Sequence, residues 1–219
     1  MEDLQQQLER AQLRLHKALQ ALAPKHIGGE VEEYEAAHQE VLRLERSIAA
    51  ARGEEYAETI PFPVKWDTGA PLPQLLRNEH RTLLAFLVRE PDPDWDGTYV
   101  TVQDPGSPTA APIGLVEFDF CLSAKLGTPS DEGFERHPLQ GKGLEPYRAQ
   151  QIVNSRWLEQ IEALSPGTTQ ARYSWQQLHH YVFWFHDSTF ECIARSFQVE
   201  AHRLSMRALL NMMVERLIS

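Results

Sequence analysis

Strict alternation constrains this chain more than any other pattern, and it is clearest from His179 to Glu200, HHYVFWFHDSTFECIARSFQVE. Side chains on a strand point to opposite faces in turn, so a tight turn within such a run gives a hairpin whose cross-strand pairs share a face. With Asp187-Ser188 in the turn, the ladder pairs His186 with Thr189, Phe185 with Phe190 and Trp184 with Glu191. One face then carries Tyr181, Phe183, Phe185, Phe190, Cys192 and Ala194, which is a core. The other carries His180, Val182, Trp184, His186, Thr189, Glu191, Ile193 and Arg195. That mixture of imidazole, carboxylate, guanidinium and indole belongs to a solvated surface or to a site.

The chain is 219 residues long, 42% hydrophobic and 24% charged, enough for one large core or two smaller units. No apolar run approaches the roughly 20 residues that cross a bilayer. The opening MEDLQQQLERAQ is too polar and acidic for a signal peptide. Cys121 and Cys192 both fall in strand-like segments and suggest no disulfide framework, so a reducing, cytoplasmic setting is expected. Net charge is −10, concentrated in the middle: residues 53–198 hold 20 acidic side chains against 11 basic, while 1–52 hold 9 and 7. Nucleic-acid binding needs a basic stripe to displace phosphate counterions, and none is visible. Nucleic acid and membrane are therefore not expected partners, whereas cationic partners, metal ions and small molecules stay open.

Leu4, Leu8, Ala11, Leu15, Leu19 and Leu22 recur at steps of three and four, and Tyr34, Ala37, Val41, Leu44, Ile48 and Ala51 do so after Pro24 and Gly28-Gly29. Two heptad-spaced segments around a short breaker predict an antiparallel, coiled-coil-like helical hairpin over 1–53, with Gly53 as its stop. Such a pair buries little alone, so it is expected to dock on the rest of the chain or to make a homo-oligomer. Residues 54–79, with Pro61, Pro63, Pro71 and Pro73, read as a connector to an α+β domain over 80–219. There TLLAFLV (82–88), YVTVQ (99–103) and Ile113–Leu122 read as strands. The last has Val116, Phe118, Phe120 and Leu122 on one face and Glu117, Asp119 and Cys121 on the other. Helices are predicted from Pro146 to about Ala163, with Ile152, Trp157, Ile161 and Leu164 inward, and from about Ala201 to Leu217.

Three segments carry candidate chemistry. If the 113–122 strand and the hairpin share one sheet, Glu117 and Asp119 join His180, His186 and Glu191 on one face, a set able to hold a divalent metal or to work as a carboxylate–histidine acid–base pair. The alternative is an antiparallel sheet with one wet face. Trp184 favours a covered or ligand-bearing face. The irregular run 125–146 offers Asp131, Glu132, His137 and Lys142 to close over that face, or is a structural loop. Asp92-Pro93-Asp94-Trp95-Asp96-Gly97 has the spacing of an EF-hand start, but the twelfth position is Gln103 and a β-turn reads better. Elbow, P-loop, dinucleotide, C-x-x-C and H-E-x-x-H motifs are missing. Cys192 lies on the core face, and nothing near Cys121 in sequence marks an activated thiolate.

The segments PSDEGFERHPLQGKGLEPY, NSRWLEQIE and HYVFWFHDSTFECIA resemble stretches of uncharacterised bacterial proteins over about residues 80–200, a resemblance that implies no activity, fold or site residue. The expected fold is α+β: an antiparallel helical hairpin, then an antiparallel sheet packed by one or two helices. The expected function is that of a non-enzymatic binding protein that self-associates through the hairpin and holds a protein or small-molecule ligand on the polar sheet face. Trp184, His180, Asp131, Glu132, His137, Lys142 and Arg195 would contact that ligand. The alternative is a small hydrolase, metal-assisted or acid–base, using His186, Glu191, Glu117 and Asp119.

Overall fold

A computed structural model of the chain describes residues 2–22, 29–90, 106–165 and 174–219. Helix α1 (Glu2–Leu22) and helix α2 (Gly29–Ala51) pair as the heptads predict. Leu4, Leu8, Ala11 and Leu15 of α1 meet Val41, Leu44 and Ile48 of α2. After Ala51 the chain turns through Gly53, whose φ of 64° is left-handed, and Glu54 N donates to Ala49 O at 2.9 Å. Leu42 and Ala49 are buried although they lie off the α1 seam, because that side of α2 docks on the rest of the molecule.

The remaining chain forms two antiparallel sheets. One has the order β1 (Tyr56–Thr59), β6 (Ala149–Val153), β7 (His179–Trp184), β8 (Thr189–Ala194), β5 (Ser123–Gly127). The other runs β2 (Gln74–Arg77), β3 (Thr82–Leu87), β4 (Ala111–Asp119), β9 (Ser196–Leu204). They stack around one aromatic-rich core. Leu84, Phe86, Val116 and Phe118 face Tyr181, Phe183, Phe185, Phe190, Cys192 and Ala194, with Trp66 beside them. Strand β3 is buried at every position because its alternate residues, Leu83, Ala85 and Leu87, pack under helix α4 (Met206–Ile218) with Leu209 and Met213. Gly114 on β4 is required by this packing, since a Cβ there would sit 2.7 Å from the Phe86 ring.

The α+β class and the helical hairpin are as expected, and four local readings are corrected. The connector over 54–79 supplies one strand to each sheet, β1 and β2, too short and proline-flanked to show alternation. Strand β4 stops at Asp119, where Phe120 takes a φ of 48° and the chain crosses to the other sheet. Phe120 and Leu122 therefore pack with Ile193 and Trp157 instead of Phe118. The helix expected from Pro146 is strand β6, a turn at Asn154 (φ 54°) and then helix α3 (Arg156–Leu164). Ile152 is thus a strand residue, and Leu164 is 83% exposed. The helix expected from Ala201 is the end of edge strand β9 followed by α4. Leu204 packs in the same cluster as α4, so its spacing imitates one continuous helical stripe. The expected strand 99–103 and the Asp92–Gly97 loop lie outside the described residues. No helix among the described residues is long and apolar enough to cross a membrane.

Candidate functional site

The β7–β8 hairpin keeps every predicted face but turns one residue earlier, at His186-Asp187, with Phe185 N donating to Ser188 O at 2.9 Å. Trp184 pairs with Thr189, Phe183 with Phe190 and Val182 with Glu191. Moving a two-residue turn by one position shifts the ladder by two, which preserves the side-chain parity. The polar-looking face is not wet. The 125–146 segment, with a 3-10 turn over Asp131–Arg136, folds over it, and Phe134, Leu139 and Leu144 cover Val182 and Trp184. The His137 ring stands edge-on to Trp184 at 5.2 Å. Trp184 is fully buried, and its ring N–H has no partner among the described residues.

On one side of Trp184 lies a buried polar chain. Ser155 Oγ is 2.9 Å from His180 Nδ1, His180 Nε2 is 3.0 Å from Glu191, and Glu191 pairs with Lys125 at 2.9 Å. Burial pushes the Glu191 carboxyl up, but hydrogen bonds from His180 and Lys125 outweigh it and hold the carboxyl below its usual range. A serine, histidine and glutamate in line, at a strand–turn–helix junction, have the parts of a nucleophile, a base and an orienter. The surroundings give them another role. Ser155 Oγ accepts from Leu158 N at 3.1 Å as the N-cap of α3, and the serine is 5% exposed. The Arg156 N–H, where an oxyanion would need a donor, is already bonded to Glu55 Oε1 at 2.7 Å. Trp157 closes the ring edge of His180 at 5.0 Å. The chain therefore anchors α3 to the sheet.

On the other side, Asp131 of the 125–146 segment meets His186. His186 Nδ1 is 2.7 Å from Asp131 Oδ2, and the Tyr147 hydroxyl donates to the same carboxylate oxygen. The Tyr147 hydroxyl holds the Asp131 carboxyl below its usual range, with His186 adding to it. Burial and then Asp131 push the Tyr147 phenol up to about 12. The His186 imidazole is oriented by that carboxylate and keeps 40% of its side chain exposed.

The structure does not bring the remaining candidates together. Glu117 and Asp119 belong to the other sheet, because β4 pairs with β3 and β9 and not with the hairpin. Glu117 pairs with Arg81 at 3.1 Å and Arg216 at 3.6 Å beneath α4, across the sandwich from His186 and Glu191. Asp119 pairs with Arg195 at 2.6 Å. Lys142 pairs with Glu54 at 2.7 Å and Glu132 is exposed at the surface of the 3-10 turn. No cluster of three or more histidine, cysteine, aspartate or glutamate residues among the described residues could hold a metal ion. Sequence reading missed Ser155, Tyr147 and Lys125. Asn154-Ser155 before an amphipathic run is a legible N-cap signal, whereas Tyr147, at a φ of 59°, has none.

No family model matches this chain, and neither does any curated protein or solved structure.

An open concavity lies on the helical arm. It measures about 430 Å³ and is lined by Arg10, Leu13, Arg14, Lys17, Ala21 and Glu33. From Arg10 to Leu22, α1 carries three cations and no carboxylate. Arg14 is held by Glu33 at 2.7 Å, and Leu13 and Leu19 are 56% and 53% exposed.

Proposed function

We propose that this chain is a non-enzymatic binding protein that self-associates through its helical hairpin. The observation that carries this reading is the placement of α1. It packs along α2 and makes no comparable contact with any other described element, so its outer side, with Arg10, Leu13 and Lys17, is left for a partner. The occupant is the acidic body of a second copy. Residues 53–198 hold 20 acidic side chains against 11 basic, which complements a helix face that is cationic and locally apolar. The five-stranded sheet under the 125–146 segment serves as the scaffold on which the arm is held.

Sedimentation velocity of the full chain over a range of concentrations and salt tests this. A concentration-dependent dimer or larger assembly is expected at about 0.1 M salt. It should weaken toward 1 M, as the screening length falls from about 10 Å to about 3 Å. Charge reversal of Arg10→Glu with Lys17→Glu should abolish association while leaving the circular dichroism unchanged. A strictly monomeric protein under all these conditions overturns the reading.

A further inference from the structure

The two cysteines are 71 positions apart in the chain, yet Cys121, at the corner where it passes from one sheet to the other, packs against the core cluster that holds Cys192. Cys121 follows Phe120, the left-handed residue that ends β4, and precedes β5. Strand β5 pairs with β8 so that Ala124 lies opposite Cys192, and Leu122 N donates to Ile193 O at 2.8 Å. Cys192 is fully buried in the aromatic core, and the half-buried Cys121 packs against the same cluster. The two thiols are within hydrogen-bonding reach of each other, and Cys121 also reaches Thr82 and donates to Ser123 O at 3.3 Å. The Arg77 guanidinium lies over this corner, donating to Cys121 O at 3.1 Å and Leu122 O at 2.7 Å.

We propose that Cys121 and Cys192 form a peroxide-responsive dithiol, in which the less buried Cys121 is the reacting sulfur and the fully buried Cys192 resolves it into an internal disulfide. The roles follow from exposure and charge. A redox-active cysteine is solvent-reachable, electropositive in its surroundings and placed beside a resolving thiol. The hydrogen bond from Cys192 comes first in drawing the Cys121 thiol down to about 7, with Thr82 and Arg77 assisting. Burial, and then Cys121, push the Cys192 thiol well up, so it stays protonated until it is used.

In the first step the Cys121 thiolate attacks a hydroperoxide. A sulfur–oxygen bond forms, the oxygen–oxygen bond breaks and the alkoxide leaves as an alcohol after taking a proton. Cys121 is oxidised to the sulfenic acid. In the second step the Cys192 sulfur attacks that sulfur, the disulfide forms, and the hydroxide leaves as water with the Cys192 proton. Two thiols and one hydroperoxide thus give one disulfide, one alcohol and one water, a two-electron exchange.

The test uses the full reduced chain treated with hydrogen peroxide near pH 7, then alkylated and digested without reductant for mass spectrometry. The expected product is a peptide pair joining Cys121 to Cys192 within one chain, and a thiol reductant should reverse it. In Cys192→Ala, Cys121 should stop at a sulfenic acid that a cyclic dione traps. The pH midpoint of Cys121 alkylation should also rise there from about 7 toward about 8.5, the ordinary thiol value, because the neighbouring hydrogen bond is gone. The wild-type cross-link needs no variant, so a poorly folding Cys192→Ala does not remove the test. Oxidation of Cys121 to the sulfinic acid with no internal cross-link overturns the proposal, as does cross-linking only between chains.

Discussion

Replacing Arg46 with alanine should cost the protein about 3 kcal/mol, near the lower end of the roughly 3–5 kcal/mol found when one partner of a buried ion pair is removed. The guanidinium lies between α2 and the five-stranded sheet, 20% exposed, against a Glu145 that is 6% exposed. It donates to Ala57 O at 2.7 Å, Gly143 O at 3.1 Å and Glu145 at 3.2 Å. Removing it strands the Ala57 carbonyl and leaves a buried carboxylate without its main cation, while Gly143 O keeps the Gln150 amide at 2.9 Å. Two features keep the loss from being larger. Thr59 still donates to Glu145 at 2.6 Å, and the exposed Arg148 stands 3.9 Å away. Working the other way, the pocket cannot collapse freely, because Gly143 has a φ of 79° and a Cβ there would meet Ala57 O at 2.7 Å. Urea unfolding followed by both tryptophan fluorescence and helical circular dichroism measures the change. A melting midpoint lower by about 6–12 °C is the thermal equivalent for a chain of this length. Arg46→Met with Glu145→Met, which removes both charges, should recover most of the loss. A single-variant loss below about 1 kcal/mol would refute the argument that this pair fastens the arm to the sheet.

Gly114→Ala should destabilise by about 1–3 kcal/mol, the range for overpacking, since the Phe86 ring it would strike is fully buried; chemical denaturation reads this directly. Arg216 and then His202 draw the Glu200 carboxyl from 4.5 down to about 2. A lowered carboxyl contributes stability that is complete above about pH 4.5 and is lost as pH falls through about 2. Glu200→Gln should therefore flatten the acid limb of the stability–pH curve over that window while leaving its neutral part sloping as before.

Where one face of an element meets one environment, the residues were legible. The α1–α2 seam and the inner face of β7–β8 follow from leucine spacing and aromatic alternation, because each is buried on one side only. Strand β6 was not, because Gln150 is buried through its amide: it donates to Gly143 O at 2.9 Å and accepts from Glu145 N at 2.9 Å. A buried glutamine carries no hydropathy signal. The division into two sheets was also hidden, since the decision is made at Phe120 by a backbone conformation that the sequence does not advertise. That one corner separated Glu117 from His186. That the 125–146 segment closes over the hairpin was one of two readings its length allowed, but the pairing of Asp131 with His186 was not singled out, and the third member, Tyr147, arrives from a turn with no signature.

The order of strands also bears on how the chain is made. The five-stranded sheet pairs β1 with β6, and the four-stranded sheet pairs β4 with β9, so each receives a central or closing partner from far along the chain. During synthesis β4 stays an open edge, and Leu83, Ala85 and Leu87 lack their cover, until residues 196–218 have left the ribosome. Non-local pairing of this kind slows folding and leaves strand edges exposed meanwhile. A nascent chain halted near Arg195 would hold every strand of the five-stranded sheet beside a sticky, half-finished four-stranded one, which makes β9 and α4 the segment that ends this exposure to aggregation.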